Sequence, residues 1–178
     1  MTTETVWPPH IVRGSRERIE ELRDTVLDLA DMRSDDNQYI ISELSRMLVV
    51  RCSGHLEVTF SECFLAFVER HSKSTICNYV NKTFRNWQNP SPKSMRDALK
   101  NIDEELSSVF FDFVNADGGA LSSDVGTMVQ QRCRISHGDN DQVTFRMSQR
   151  YCEAALTVSE WIVECFKPNG RADLISSV

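Results

Sequence analysis

The stretch that decides the fold is LSRMLVVRCSGHLEVTFSECFLAF, residues 44–67. Its apolar residues Leu44, Leu48, Cys52, Leu56, Phe60, Cys63 and Phe67 recur every three or four positions, the period of a helix face rather than the alternation of a strand. Sustained over that length, the pattern predicts a helix of about 30 residues, roughly 45 Å long. Gly54 is the position where such a helix is expected to kink.

Working outward, every neighbouring segment also reads as helix. Upstream, Ser15 is a candidate N-cap for a helix striped by Ile19, Leu22, Val26 and Leu29, and Ser34, Asp35, Asp36 and Asn37 separate the two. Residues 1–14 are expected to form an irregular arm. Downstream, Ile76, Val80 and Phe84 mark a shorter helix over 73–87, closed by Asn89, Pro90, Ser91 and Pro92. A short helix is expected near Ser94 and another over Leu106–Val114, before a turn at Asp117, Gly118 and Gly119. Leu121, Val125, Met128, Arg132 and Ile135 stripe the following helix, which should end near His137 with Gly138 as its C′ residue. Tyr151, Ala155, Val158, Ile162 and Phe166 stripe the last one, with a flexible tail expected over 168–178. The expected class is all-α, a single-domain bundle over 1–178 with one long helix and several shorter antiparallel ones.

Composition narrows the function. The chain has 178 residues, 40% hydrophobic, enough for a core without disulfides or a structural metal. The six cysteines at 52, 63, 77, 133, 152 and 165 contain no Cys-x-x-Cys, so they read as small buried hydrophobes in a reducing compartment. Cys52 and His55 are spaced to share a zinc ion, but no second pair of ligands accompanies them, and no metal or cofactor is expected. No apolar leader and no bilayer-length apolar run occurs, so a cytoplasmic protein off the membrane is expected. A net charge of −6 argues against broad coating of nucleic acid. That total is uneven: residues 69–100 carry seven basic and two acidic residues, interleaved with Tyr79, Phe84 and Trp87. Lys73, Lys82, Arg85 and Trp87 are therefore candidate contacts for single-stranded RNA, with a solvated helix face over core aromatics as the alternative.

Arg132 stands where its stripe calls for an apolar residue. A guanidinium there must meet a carboxylate, a phosphate or a solvent-filled cleft. His137, five residues on, lies about 140° around a regular helix, so the two converge only if the helix ends between them or if a twofold-related copy supplies the partner. Arg51 and His55, one turn apart on the long helix, and Glu62 beyond them are candidates for a supporting layer or for a structural buried network.

With Arg132, four residues and His137 followed by Gly138, borne late in an all-α chain with a long early helix, the sequence resembles the HEPN superfamily, and within it the RiboL-PSP-HEPN type. The resemblance implies a metal-independent endoribonuclease acting on single-stranded RNA, a homodimer with a composite active site, and a toxin or phage-defence role with an antitoxin or other regulatory partner. Arg132 and His137 would be catalytic, with Arg134, Ser136 and Asp139 supporting them. Cys133 departs from the polar residue usual after the motif's Arg. Asp139 stands where one HEPN branch has a tyrosine, so control by tyrosine adenylylation is not implied. Histidine ordinarily titrates near 6.5 and suits either proton transfer, while Arg forks hold phosphate. The other reading is a non-catalytic HEPN-like module that binds a protein or a nucleotide; a plain helical scaffold is a third.

Overall fold

The computed structural model describes residues 6–32, 37–84, 87–139 and 143–172. Among them the chain forms six helices and no strand: α1 His10–Asp31, α2 Gln38–His71, α3 Ser74–Phe84, α4 Pro92–Lys100, α5 Glu104–His137 and α6 Phe145–Phe166. The all-α bundle expected from periodicity is what forms.

The long helix is the axis of the molecule. α2 runs for 34 residues and continues through Gly54 without a break. Leu48, Cys52, Leu56, Phe60 and Cys63 are all fully buried. It packs chiefly on α6 and α1, and also on α5 and α3, so it is enclosed over much of its circumference. Removing a side chain such as Phe60 from water stabilises the fold by roughly 1.5–3 kcal/mol. Phe60 is also the centre of an aromatic cluster, with Trp87 at 4.8 Å, Phe84 at 6.3 Å and Phe166 edge-on at 6.2 Å. That cluster fastens α3 and the segment after it to α2 and α6, because α3 itself has no fully buried residue.

Both ends pack further than expected. α1 starts at His10 rather than after Ser15, with Pro9 at its N-cap accepting from Val12 N–H at 2.9 Å. A proline-rich lead-in fixes extended backbone and needs no donor there, so Ser15 is left inside the helix. Its hydroxyl lies 3.1 Å from His55 Nδ1 instead. The segment before α1 is docked: Trp7 Nε1 donates to the Val163 carbonyl at 3.1 Å, and Arg70 stands over the Trp7 ring. At the other end Gly170 and Ala172 are buried, while 173–178 lie outside the described residues.

Side-chain caps set the later helices. Ser91 accepts from Ser94 N–H at α4, Asp103 from Glu105 and Leu106 N–H at α5, and Thr144 from Met147 N–H at α6. The turn expected at Asp117–Gly119 is present as a break inside α5. Ala116 is extended, and Asp117, Gly118 and Gly119 have φ of 53°, 79° and 78°. Two glycines in the left-handed region make this corner accessible. It divides α5 into a first limb packed on α4 and a second limb that carries Arg132.

Candidate functional site

On the second limb of α5, Val125 and Met128 are fully buried, and Arg132 and Ile135, further along the same stripe, are half-buried. The stripe thus runs out of the core at the position where the guanidinium sits. Arg132 Nη2 lies 3.8 Å from Glu57 Oε1 on α2, with the two side chains 27% and 19% exposed. The same Glu57 oxygen accepts the Asn89 backbone N–H at 3.0 Å. Asn89 has φ of 62°, a left-handed conformation that Asn tolerates better than most residues. Its side-chain oxygen lies 3.7 Å from Cys133 Sγ, which donates to it. One carboxylate therefore ties α2, the segment before α4 and the motif-bearing limb together.

The helix does not end between Arg132 and His137. It continues to His137, and Gly138 (φ 70°) closes it as the C′ residue. Gly138 N–H bonds to Ile135 O at 3.2 Å and Asp139 N–H to Arg134 O at 3.0 Å, the two bonds of a Schellman ending. Within one chain the two motif side chains therefore point about 140° apart, and the first of the two expected routes to convergence is excluded. His137 is exposed, as are Arg134, Ser136 and Asp139. Among the described residues neither Ser136 nor Asp139 hydrogen-bonds the His137 ring.

Arg51, His55 and Glu62 are not brought together. Arg51 is exposed, whereas His55 is 1% exposed and faces α1. Its Nε2 is 3.5 Å from Thr59 Oγ1. Burial, and secondarily the positive charge of Arg16, pushes the His55 pKa down to about 4. Glu62 faces a groove between α2 and α3, which Glu57 also lines, so Arg132's partner is part of a cleft wall. Lys82 and Trp87 line the same groove. Trp87 is half-buried and spends part of its ring on Phe60. Lys73 is exposed just before α3, and Arg85 lies outside the described residues. The cysteines read as buried hydrophobes are so at 52, 63, 152 and 165, and burial pushes the Cys63 and Cys165 thiols up to about 12. No group of three metal-binding side chains occurs among the described residues, and no helix there is long and apolar enough to cross a membrane.

A family model described as RiboL-PSP-HEPN matches residues 14–167, a span that takes in most of α1 and all of α2 to α6. The chain belongs to the RiboL-PSP-HEPN family. No curated protein and no solved structure matches it. The RiboL-PSP-HEPN assignment carries a HEPN domain with it, and both Arg132 and His137 fall inside the matched span.

Sequence reasoning missed Glu57 and Asn89. The available signal was the demand of Arg132 for a carboxylate: Glu57 flanks the apolar stripe of α2, where a half-buried acid is expected to have a partner.

Proposed function

We propose that this RiboL-PSP-HEPN protein is a metal-independent endoribonuclease acting on single-stranded RNA as a homodimer. The observation that carries the reading is the placement of Arg132: a half-buried guanidinium facing Glu57, which lines a cleft, on the limb whose exposed end bears His137. One chain's Arg132 and His137 diverge, so the reaction calls for a second copy whose motif limb faces the first. One His137 then takes the proton from the ribose 2′-hydroxyl as its oxygen attacks phosphorus. The other gives a proton to the departing 5′-oxygen, leaving a 2′,3′-cyclic phosphate and a 5′-hydroxyl. Arg132 holds the non-bridging oxygens, and its charge opposes the build-up of negative charge on the phosphorane. Exposed Arg134 adds a phosphate contact, and Ser136 and Asp139 lie close enough in sequence to orient the imidazole once the limbs meet. A toxin or phage-defence role in the cytoplasm, restrained by an antitoxin or other regulatory protein, fits such an activity.

The purified protein should cut single-stranded RNA in EDTA and leave cyclic phosphate ends. His137→Ala should lower cutting by about 100-fold or more without shifting the melting temperature. Cutting that survives the substitution overturns the assignment. A second reading, a non-catalytic module binding a protein or nucleotide, is favoured by the Glu57 carboxylate that already faces Arg132 and by Cys133 in the motif. Toxicity on expression that Arg132→Ala relieves would count against that second reading.

A further inference from the structure

The groove beside Arg132 has a volume of about 620 Å³ and is open to solvent. Its two walls are helix faces. Glu57, Ser61 and Glu62 come from α2, and Asn78, Asn81 and Lys82 from α3, at the i, i+3 and i, i+4 spacings that put side chains on one face. Val58, Leu65, Phe84 and Trp87 supply the apolar surface between them. Among the described residues the side chains of Glu62, Asn78, Asn81 and Lys82 make no hydrogen bond or ion pair with the rest of the protein. Glu57 connects this groove directly to Arg132.

That lining selects its occupant. Two carboxylates repel a phosphate, so the backbone of a strand held at Arg132 is kept to the rim, where Lys82 is exposed. A neutral planar group over apolar surface is accepted, provided its edge presents donors to the carboxylates. Guanine does this best, because its ring N1–H and its exocyclic amine are adjacent donors that meet both oxygens of one carboxylate. Adenine and cytosine place a ring acceptor beside their single amine. Uracil has one N–H between two carbonyls, which a carboxylate opposes. The amide N–H groups of Asn78 and Asn81 are then available to guanine's O6 and N7 acceptors.

We propose that the α2–α3 groove is a guanine-selective subsite for the nucleotide next to the phosphate at Arg132, with Glu62 as its specificity-determining residue. The nuclease reading supplies only the expectation that the ligand is part of an RNA strand. The test therefore separates binding from cutting. The full-length protein is titrated with the 5′-monophosphates of guanosine, adenosine, cytidine and uridine, followed by NMR, and cleavage ends are mapped on RNA of mixed sequence. Guanosine monophosphate should bind about tenfold more tightly than the uridine nucleotide, the low end of what one good bidentate base contact gives. Glu62→Gln keeps the side-chain size at a half-buried position and should remove most of that preference with no change in melting temperature. Equal binding of the four nucleotides, or a preference that survives Glu62→Gln, overturns the subsite even if RNA is cut. Guanine selectivity without RNA cleavage instead overturns the nuclease reading and leaves the groove as a nucleotide site.

Discussion

At the residue scale, His55 shows how burial, reinforced by a nearby positive charge, turns a side chain into a pH-dependent contributor to stability. Its folded pKa of about 4 lies below the value near 6.5 that an exposed histidine has, first because burial disfavours the charged ring and then because Arg16 is positive. Between those values the unfolded chain binds more protons than the folded one. The contribution is therefore fully present above about 6.5 and is lost as pH falls towards 4, by roughly 3 kcal/mol in all. Urea unfolding at pH 7.5 and 4.5 should show the wild type losing more stability than His55→Gln over that interval. A slope unchanged by the substitution would assign the loss to other groups. The sequence made this residue visible as a titratable group on the long helix but not its role, because Ser15 lies 40 positions away and looked like a cap. The same holds for Glu57 and Asn89. Their bond joins positions 32 residues apart, and no local pattern encodes a contact that exists only after α2 and the segment before α4 have packed.

At the element scale the apolar stripes were legible because each is long enough for a period of three and four to be unmistakable. Element ends were less so. The start of α1 fell to Pro9 because a proline lead-in outcompetes an interior serine, and the glycine pair at 118–119 bends one helix at a corner without an intervening loop. The end at Gly138 was readable, since Gly in the left-handed region is a common way to finish a helix. Capping provides a prediction of its own. Asp103 accepts two backbone N–H groups at the start of α5, at 2.6 and 3.1 Å, so Asp103→Ala should cost about 1 kcal/mol. The measurement is the shift in urea midpoint at constant slope. A midpoint that does not move would mean that solvent replaces the cap without loss.

At the scale of the whole molecule, charge constrains the proposed RNA-binding function. The chain's −6 is the sum of a basic segment over 69–100 and an acidic remainder, and in the fold the groove beside Arg132 has its own carboxylates. On the proposed function a strand would be gripped at few phosphates, with bases supplying much of the remaining contact. Two or three phosphate contacts correspond to a log–log salt slope of about −2 for a single strand. Titration of the His137→Ala protein, in which the proposed cutting should be lost, with a short RNA at several potassium concentrations measures this. A slope several times steeper would indicate a long basic track and contradict a short site.

The corner at Ala116–Gly119 has a consequence in the language of protein engineering. It is a surface seam, with residues 116–118 exposed and its backbone outside helical geometry. Polypeptide added there enlarges an existing turn, and a flexible insert costs only about 0.6 kcal/mol for each doubling of its length. On one side of the seam lie four helices and the first limb of α5, with Glu57 and Glu62. On the other lie Arg132, His137 and the last helix. Cutting the gene at this point divides cleft wall from motif, so that neither half alone would hold the whole of the proposed site and rejoining them would become a switch that an experimenter controls.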